Sequence, residues 1–357
     1  MNNELPLPRL RKDLVFEEKE YNSQKYVVLY DVKNYAQQPV ELPSNILPLL
    51  VILDGTITPT MLKDMLAEEI GEEVDTIIEP ILNLIRSLDF LGYMDSPRFY
   101  MIKNEIDSYM FSPMRKPVCA GSSYSESPDL LSIEMKEIIE ANFNANKNYP
   151  PAKALIVPHI DFRIGPEAHL AYSAAYNSIL NSDADLFVIF GTAHYGNSSY
   201  FMLTEKDFLT PFGKIETDKE IINTLKNKLG DKIVFDELTH RTEHSIELQT
   251  ILLHYIFRNR NFKILPILVG SFHQFIYENR LPSTSKIFND FTDSLKPAIS
   301  ESNRKVIYIA SADFAHIGRK FGDSFDAEIA LEILKDEDIE LIDSLVNVNE
   351  DNFFQKI

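Results

Sequence analysis

Histidine is the commonest side-chain ligand for transition metals, and all eight histidines of this chain fall between His159 and His316. Three of them follow directly on apolar runs: ALIVP precedes His159, LFVIFGTA precedes His194, and VIYIASADFA leads to His316. Runs this short, rich in β-branched and aromatic residues and closed by Pro, Gly or Ser, read as parallel strands buried on both faces. Open α/β sheets take ligands in the crevice beyond the carboxyl ends of their strands, so imidazoles distant in sequence can meet there. The chemistry is expected between residues 150 and 320.

Four segments carry it. In Val157-Pro158-His159-Ile160-Asp161 the proline cannot join a sheet ladder, so His159 and Asp161 sit on the strand tip, where Asp161 could bind a metal or orient the ring. In Phe190-Gly191-Thr192-Ala193-His194-Tyr195-Gly196 the two glycines permit a sharp turn or a close approach beside His194. Arg241-Thr242-Glu243-His244-Ser245-Ile246-Glu247 opens a helix, with Thr242 placed to cap it. Acidic residues in a first turn suit the helix dipole, which accounts for Glu243 but not for His244. Both are candidates for general acid or base work, or for orienting ligands. Finally, Ser311, Asp313 and His316 form a polar cluster after the strand KVIYIA. His169, His240, His254 and His273 lie in helical or loop surroundings that suit packed or solvated rings.

Composition is that of a soluble globular protein: 45% apolar, 11% aromatic and 25% charged residues. The first twenty residues hold Glu4, Asp13, Glu17, Glu18 and Glu20, and show no secretory signal. The longest apolar segment, ILPLLVIL at 46–53, is far too short to cross a bilayer. A cytoplasmic location is therefore expected, with no membrane association. A net charge of −19 opposes binding to nucleic acid. Cys119 is the only cysteine, which excludes an internal disulfide and any multi-cysteine metal site.

The organisation changes near residue 115, giving a domain over 1–112 and another over 113–357. The first reads as strands at 14–18 and 25–31, helices beginning at Thr58 and near Val74, and a hairpin in FLGYMDSPRFYMI, a winged-helix pattern. Around Leu53-Asp54-Gly55-Thr56 its hydrophobic spacing resembles the small PqqD-like peptide-recognition modules, which implies a peptide or protein partner. The second begins with a Ser- and Pro-rich linker and a helix over 128–143. Strands at 153–158, 185–190, 199–204, 232–235, 263–269 and 305–311 then alternate with helices at 166–181, 217–229, 243–258, 283–298, 323–335 and 337–345. This predicts an α/β fold, a mostly parallel sheet flanked by helices on both faces.

From Cys119 onward the chain resembles the Memo family, known in prokaryotes as AmmeMemoRadiSam system protein B. The matching stretches are AGSSY at 120–124, VPHIDF at 157–162, GPEAHLAY at 165–172, FGTAHYG at 190–196, TPFGKIETD at 210–218, EHSIELQ at 243–249, ILPILVG at 264–270 and SADFAHIG at 311–318. The resemblance implies a fold similar to class III extradiol ring-cleaving dioxygenases, bound iron or copper, redox activity and a radical-SAM partner. The family's two metal histidines fall on His159 and His194, while a cysteine ligand of the animal members falls on Ala315. Cys119 stands where the family has His, Ser123 where it has Trp, and Gln249 where it often has His. The chain stops at Ile357, inside a region where the family continues.

The expected function is thus a metal-binding, dioxygenase-like redox protein with Fe2+ or copper on His159, His194 and either His316 or Asp313, assisted by Glu243 and His244. The rival is a non-catalytic adaptor that binds a peptide or protein through the N-terminal domain and a vestigial cleft. Nε2-type ligand atoms on one ion must lie roughly 3 to 3.5 Å apart, so the placement of His159 and His194 discriminates between the two.

Overall fold

The computed structural model describes residues 5–36, 38–142, 152–195 and 199–356. The chain divides into two compact units, Met1–Phe111 and Ser112–Ile357.

In the first unit, β1 (Arg9–Leu10), β2 (Val15–Tyr21), β3 (Gln24–Tyr30) and β4 (Val40–Pro43) precede α1 (Leu47–Ile52), α2 (Pro59–Ile70), α3 (Val74–Phe90), β5 (Met94–Asp95) and α4 (Pro97–Phe111). Strands β2, β3 and β4 form an antiparallel sheet. Its apolar residues Val27, Leu29 and Leu42 pack with Leu50, Leu62, Ile85 and Leu88 of the helices. The hairpin expected in FLGYMDSPRFYMI is absent. Met94 and Asp95 pair instead with Leu10 and Arg9, and the residues after them form α4. The reason is local: Ser96 Oγ accepts the Phe99 N–H at 3.2 Å, and Pro97 opens the helix, the position where its missing N–H costs nothing.

The second unit is built from β6 (Met114–Arg115), α5 (Pro128–Glu140), β7 (Ala154–Val157), α6 (Pro166–Tyr176), β8 (Leu186–Thr192), β9 (Phe201–Leu203), β10 (Asp207–Thr210) and β11 (Gly213–Thr217). There follow α7 (Lys219–Leu229), α8 (Glu237–Thr242), α9 (His244–Phe257), β12 (Lys263–Val269), α10 (His273–Tyr277), α11 (Lys286–Glu301), β13 (Val306–Ser311), α12 (Leu331–Val346) and α13 (Glu350–Gln355). The sheet runs β6-β10-β11-β12-β8-β13-β7, with β9 pairing antiparallel on β12. Its centre, β12-β8-β13-β7, is wholly parallel. Side chains alternate across it, so Leu186 and Val188 of β8 pack with Ile222 of α7 and Leu295 of α11. Phe187 and Ile189 face the other way, into a core with α5, α6 and α9. The mostly parallel, two-faced α/β architecture is therefore present.

Some elements differ from expectation. Segment 232–235 forms only a bridge from Phe235 to Leu203, while DFLT and GKIET form an antiparallel pair. The two helices expected after residue 323 are the single helix α12, its apolar spacing uninterrupted by Gly or Pro. The helix expected over 128–143 is described to Glu140, and Phe143 and Gly196 lie outside the described residues. Among the described residues, no helix is long and apolar enough to cross a membrane.

Gly191 is what allows α9 to seat against β8. A Cβ at that position would lie 2.5 Å from Ile246 Cγ1 and 2.6 Å from Ser245 Oγ, both on the first turn of α9. The glycine serves a close approach. Gly191→Ala is expected to cost about 1–3 kcal/mol by overpacking, read as a lowered urea midpoint with an unchanged slope.

Candidate metal centre

Sheet register brings the strand tips level. Ser311 of β13 is opposite both Val157 of β7 and Gly191 of β8, with β13 between the two. Two or three residues beyond that line come His159, His194 and Asp313. The first two turns of α9 are tied to all three strand ends by a buried polar network. Ser245 Oγ donates to the Thr192 carbonyl at 2.8 Å, and Ser311 Oγ to the Ser245 carbonyl at 2.7 Å. Gln249 Nε2 donates to the Pro158 carbonyl and to Ser311 Oγ, each at 2.8 Å, and Gln249 Oε1 accepts from Tyr176. This network carries His244 to the strand tips.

The result is a cluster of three imidazoles, His159, His194 and His244, each offering a ring nitrogen within 4.8 Å of the others. The Nε2 atoms of His159 and His194 are 3.3 Å apart. The His244 ring stacks on His194 at 4.8 Å between centroids and meets His159 edge-on at 5.3 Å. His159 lies buried at the floor with 4% exposure, whereas His194 and His244 are partly open to solvent.

Hydrogen bonds settle the ring orientations. His159 Nδ1 lies 3.2 Å from the Ser311 carbonyl, which can only accept, so Nδ1 carries the proton and Nε2 the lone pair. His194 Nδ1 lies 2.9 Å from Glu243 Oε1, a carboxylate that can only accept, so this nitrogen also carries a proton. His244 Nδ1 is 3.2 Å from that same oxygen. Glu243 itself is buried and also accepts from the backbone N–H groups of His194, His244 and Ser245. It, not Thr242, is the N-cap of α9, because Thr242 ends the short helix α8. Burial works to raise the Glu243 pKa, but the hydrogen bonds from His194 and His244 outweigh it and hold the group well below the usual carboxylate range. The Glu243 bond raises the pKa of His194 against the opposing effect of burial. Burial lowers that of His159, although Asp313 opposes it.

Asp313 Oδ1 accepts the His159 N–H at 2.8 Å, and Oδ2 lies 3.5 Å from His159 Nε2. His316 stands outside the three-ring group, half exposed, with Nε2 3.3 Å from Asp313 Oδ2. Asp161 accepts from Ser123 Oγ at 2.8 Å and from the Arg163 N–H. Cys119 is set apart chemically, since burial pushes its thiol up to about 12. Behind α9, Glu247 is buried and receives Arg115, Tyr124 and the Val118 and Cys119 N–H groups. Arg115 and Glu247 carried no sequence signal of this role beyond an acidic residue in a first helical turn.

His169, His240 and His254 serve packing, while His273 is exposed. His169 bonds the Phe162 carbonyl and His254 the Thr210 hydroxyl. His240 is buried with Nε2 3.0 Å from the Met202 carbonyl, and burial pushes its pKa down to about 4. Because the unfolded ring near 6.5 takes up its proton first, stability is full above pH 6.5 and falls as pH drops towards 4. Between pH 7 and 4.5 the wild type should lose about 2–3 kcal/mol more than His240→Gln, measured by urea unfolding at each pH.

Residues 115–357 match the family model for Memo-like proteins. The chain belongs to the Memo family. A MEMO1 family protein of Aquifex aeolicus is 30% identical over 287 residues, covering 80% of this chain and 71% of that protein. That alignment is longer than the second unit, so the likeness reaches into the first. A MEMO1 family protein of Methanosarcina barkeri is 30% identical over 244 residues, 68% of this chain and 79% of the relative. One from Pyrococcus abyssi is 32% identical over 217 residues, 58% of this chain and 67% of the relative.

Proposed function

We propose that this Memo-family chain holds one redox-active transition metal, iron or copper, on His159, His194 and His244, and acts as a dioxygenase-like oxidoreductase. The supporting observation is the facing pair of His159 and His194. Both rings commit Nδ1 to an acceptor, which turns their Nε2 atoms to each other 3.3 Å apart. Two ring nitrogens so placed need a cation between them, a proton on one ring or a metal ion on both, and the ion is the one that can also take His244. The donor set suits the ion as well: neutral imidazoles are good ligands for iron and copper.

When bound, such an ion supplies electron exchange with oxygen at coordination positions the protein leaves free. The chain's own residues supply the rest. Glu243 orients His194 and His244 together through one buried carboxylate, the arrangement that fixes tautomer and raises ligand basicity. With its oxygens facing five donors, three backbone N–H groups and two imidazole nitrogens, it is suited to orienting rather than to shuttling protons. Asp313 is the nearest further anion, and His316 is bonded to it. Asp313, beside the His159 ring, is thus placed to orient a small polar or aromatic substrate.

The test is anaerobic titration of tag-free protein with Fe2+ and with Cu+, followed by product analysis with and without oxygen. One ion per chain and oxygen-dependent turnover are expected. Failure to retain either ion against a weak chelator would turn the reading towards an adaptor whose cleft docks a protein.

A further inference from the structure

We infer that Arg115 is a positioning residue of the metal site, setting the direction of His194 and His244 without touching either. The inference rests on the metal reading above and concerns what holds that site in shape. Arg115 is the last residue of β6, paired to β10 opposite Phe208, and its side chain is 1% exposed. Its guanidinium bonds in three directions. Nε donates to the His240 carbonyl at 2.7 Å, Nη2 to the Glu243 carbonyl at 2.7 Å, and Nη1 to Glu247 Oε2 at 2.5 Å. These acceptors span the corner between α8 and α9. Glu243 is the hinge of that corner, extended between the two helices at φ −79° and ψ 127°.

One guanidinium therefore grips the backbone of the residue whose carboxylate holds both imidazoles, together with the residue one helical turn later. Any rotation of the Glu243 peptide would swing its carboxylate away from His194 Nδ1, 2.9 Å distant, and from His244 Nδ1, 3.2 Å distant. The planar fork of arginine meets this geometry, whereas a lysine ammonium cannot reach both carbonyls and the carboxylate in fixed directions. Glu247 in turn accepts from the N–H groups of Val118 and Cys119, so residues 115–119 and the start of α9 form one clamped unit.

The experiment compares wild type, Arg115→Lys and the double variant Arg115→Met/Glu247→Gln. The double variant removes both buried charges while leaving an amide oxygen for one of the two N–H groups, Val118 on one side of the carboxylate or Cys119 on the other. Each folded protein is titrated with Co2+, read by its visible absorption. Imidazole tautomers are read in the metal-free protein by long-range nitrogen–proton NMR. Co2+ affinity should fall about 10–100-fold in the double variant, and less in Arg115→Lys, which retains the charge. The His194 and His244 rings should lose their uniform Nδ1–H form. Wild-type affinity with unchanged tautomers in a folded variant would overturn the inference. Should the double variant not fold, the same two readings on Arg115→Lys decide it. Should wild type bind no Co2+, the metal reading fails separately and the tautomers alone judge Arg115.

Discussion

His159→Ala combined with His194→Ala is expected to abolish metal retention while leaving the protein folded. The facing Nε2 atoms, 3.3 Å apart, supply two of the three donors, and the remaining imidazole is one ring on a partly open surface. Removing a carboxylate or carbonyl that merely orients a ligand typically costs about 10–100-fold in metal affinity. Losing two ligands outright should exceed that, so the variant's binding should lie beyond the range of a weak-chelator competition. Folding should survive better than binding. His194 is about one-third exposed, and neither ring belongs to the apolar core of the sheet. Elemental analysis together with circular dichroism measures both. Undiminished metal in the double variant would mean that the ion, if any, sits elsewhere.

Arg115→Ala carries the largest expected loss of stability, about 3–5 kcal/mol. Its partner Glu247 is 1% exposed, and deleting the guanidinium leaves that carboxylate charged and buried with only Tyr124 and two backbone N–H groups. The carbonyls of His240 and Glu243 lose their donors at the same time. Arg115 also keeps the Glu247 pKa low: burial alone would raise it, and the arginine charge is the leading opposing influence. Urea unfolding measures the loss, and adding Glu247→Gln should recover part of it, because a neutral amide costs far less to bury than an unpaired carboxylate. A loss below about 1 kcal/mol would show that water reaches the pair.

The parallel centre of the sheet was legible because strands buried on both faces must be apolar throughout, as in LFVIF and KILPILV. The antiparallel pair DFLT and GKIET was not, since its buried positions include Asp207, Thr210 and Thr217, whose polarity disguises a strand. His159 and His194 could be read as partners because each lies just past the end of such a run, and register then places them level. The third ring could not be assigned that way. His316 also follows a strand, yet His244 joins the cluster, carried there by bonds from Ser245 and Gln249 to strand-end carbonyls and to Ser311. Those are long-range pairings of ordinary residues, and nothing local in sequence signals them. The same holds for Glu243, whose place at a helix start is explained equally well by the helix dipole and by its grip on two imidazoles.

X-ray absorption on the iron- or copper-loaded protein tests the central claim most directly. Three imidazole nitrogens on one ion should appear as a nitrogen shell near about 2.1 Å with outer-ring scattering from three histidines. A bound ion surrounded by oxygen alone, without imidazole scattering, would contradict it.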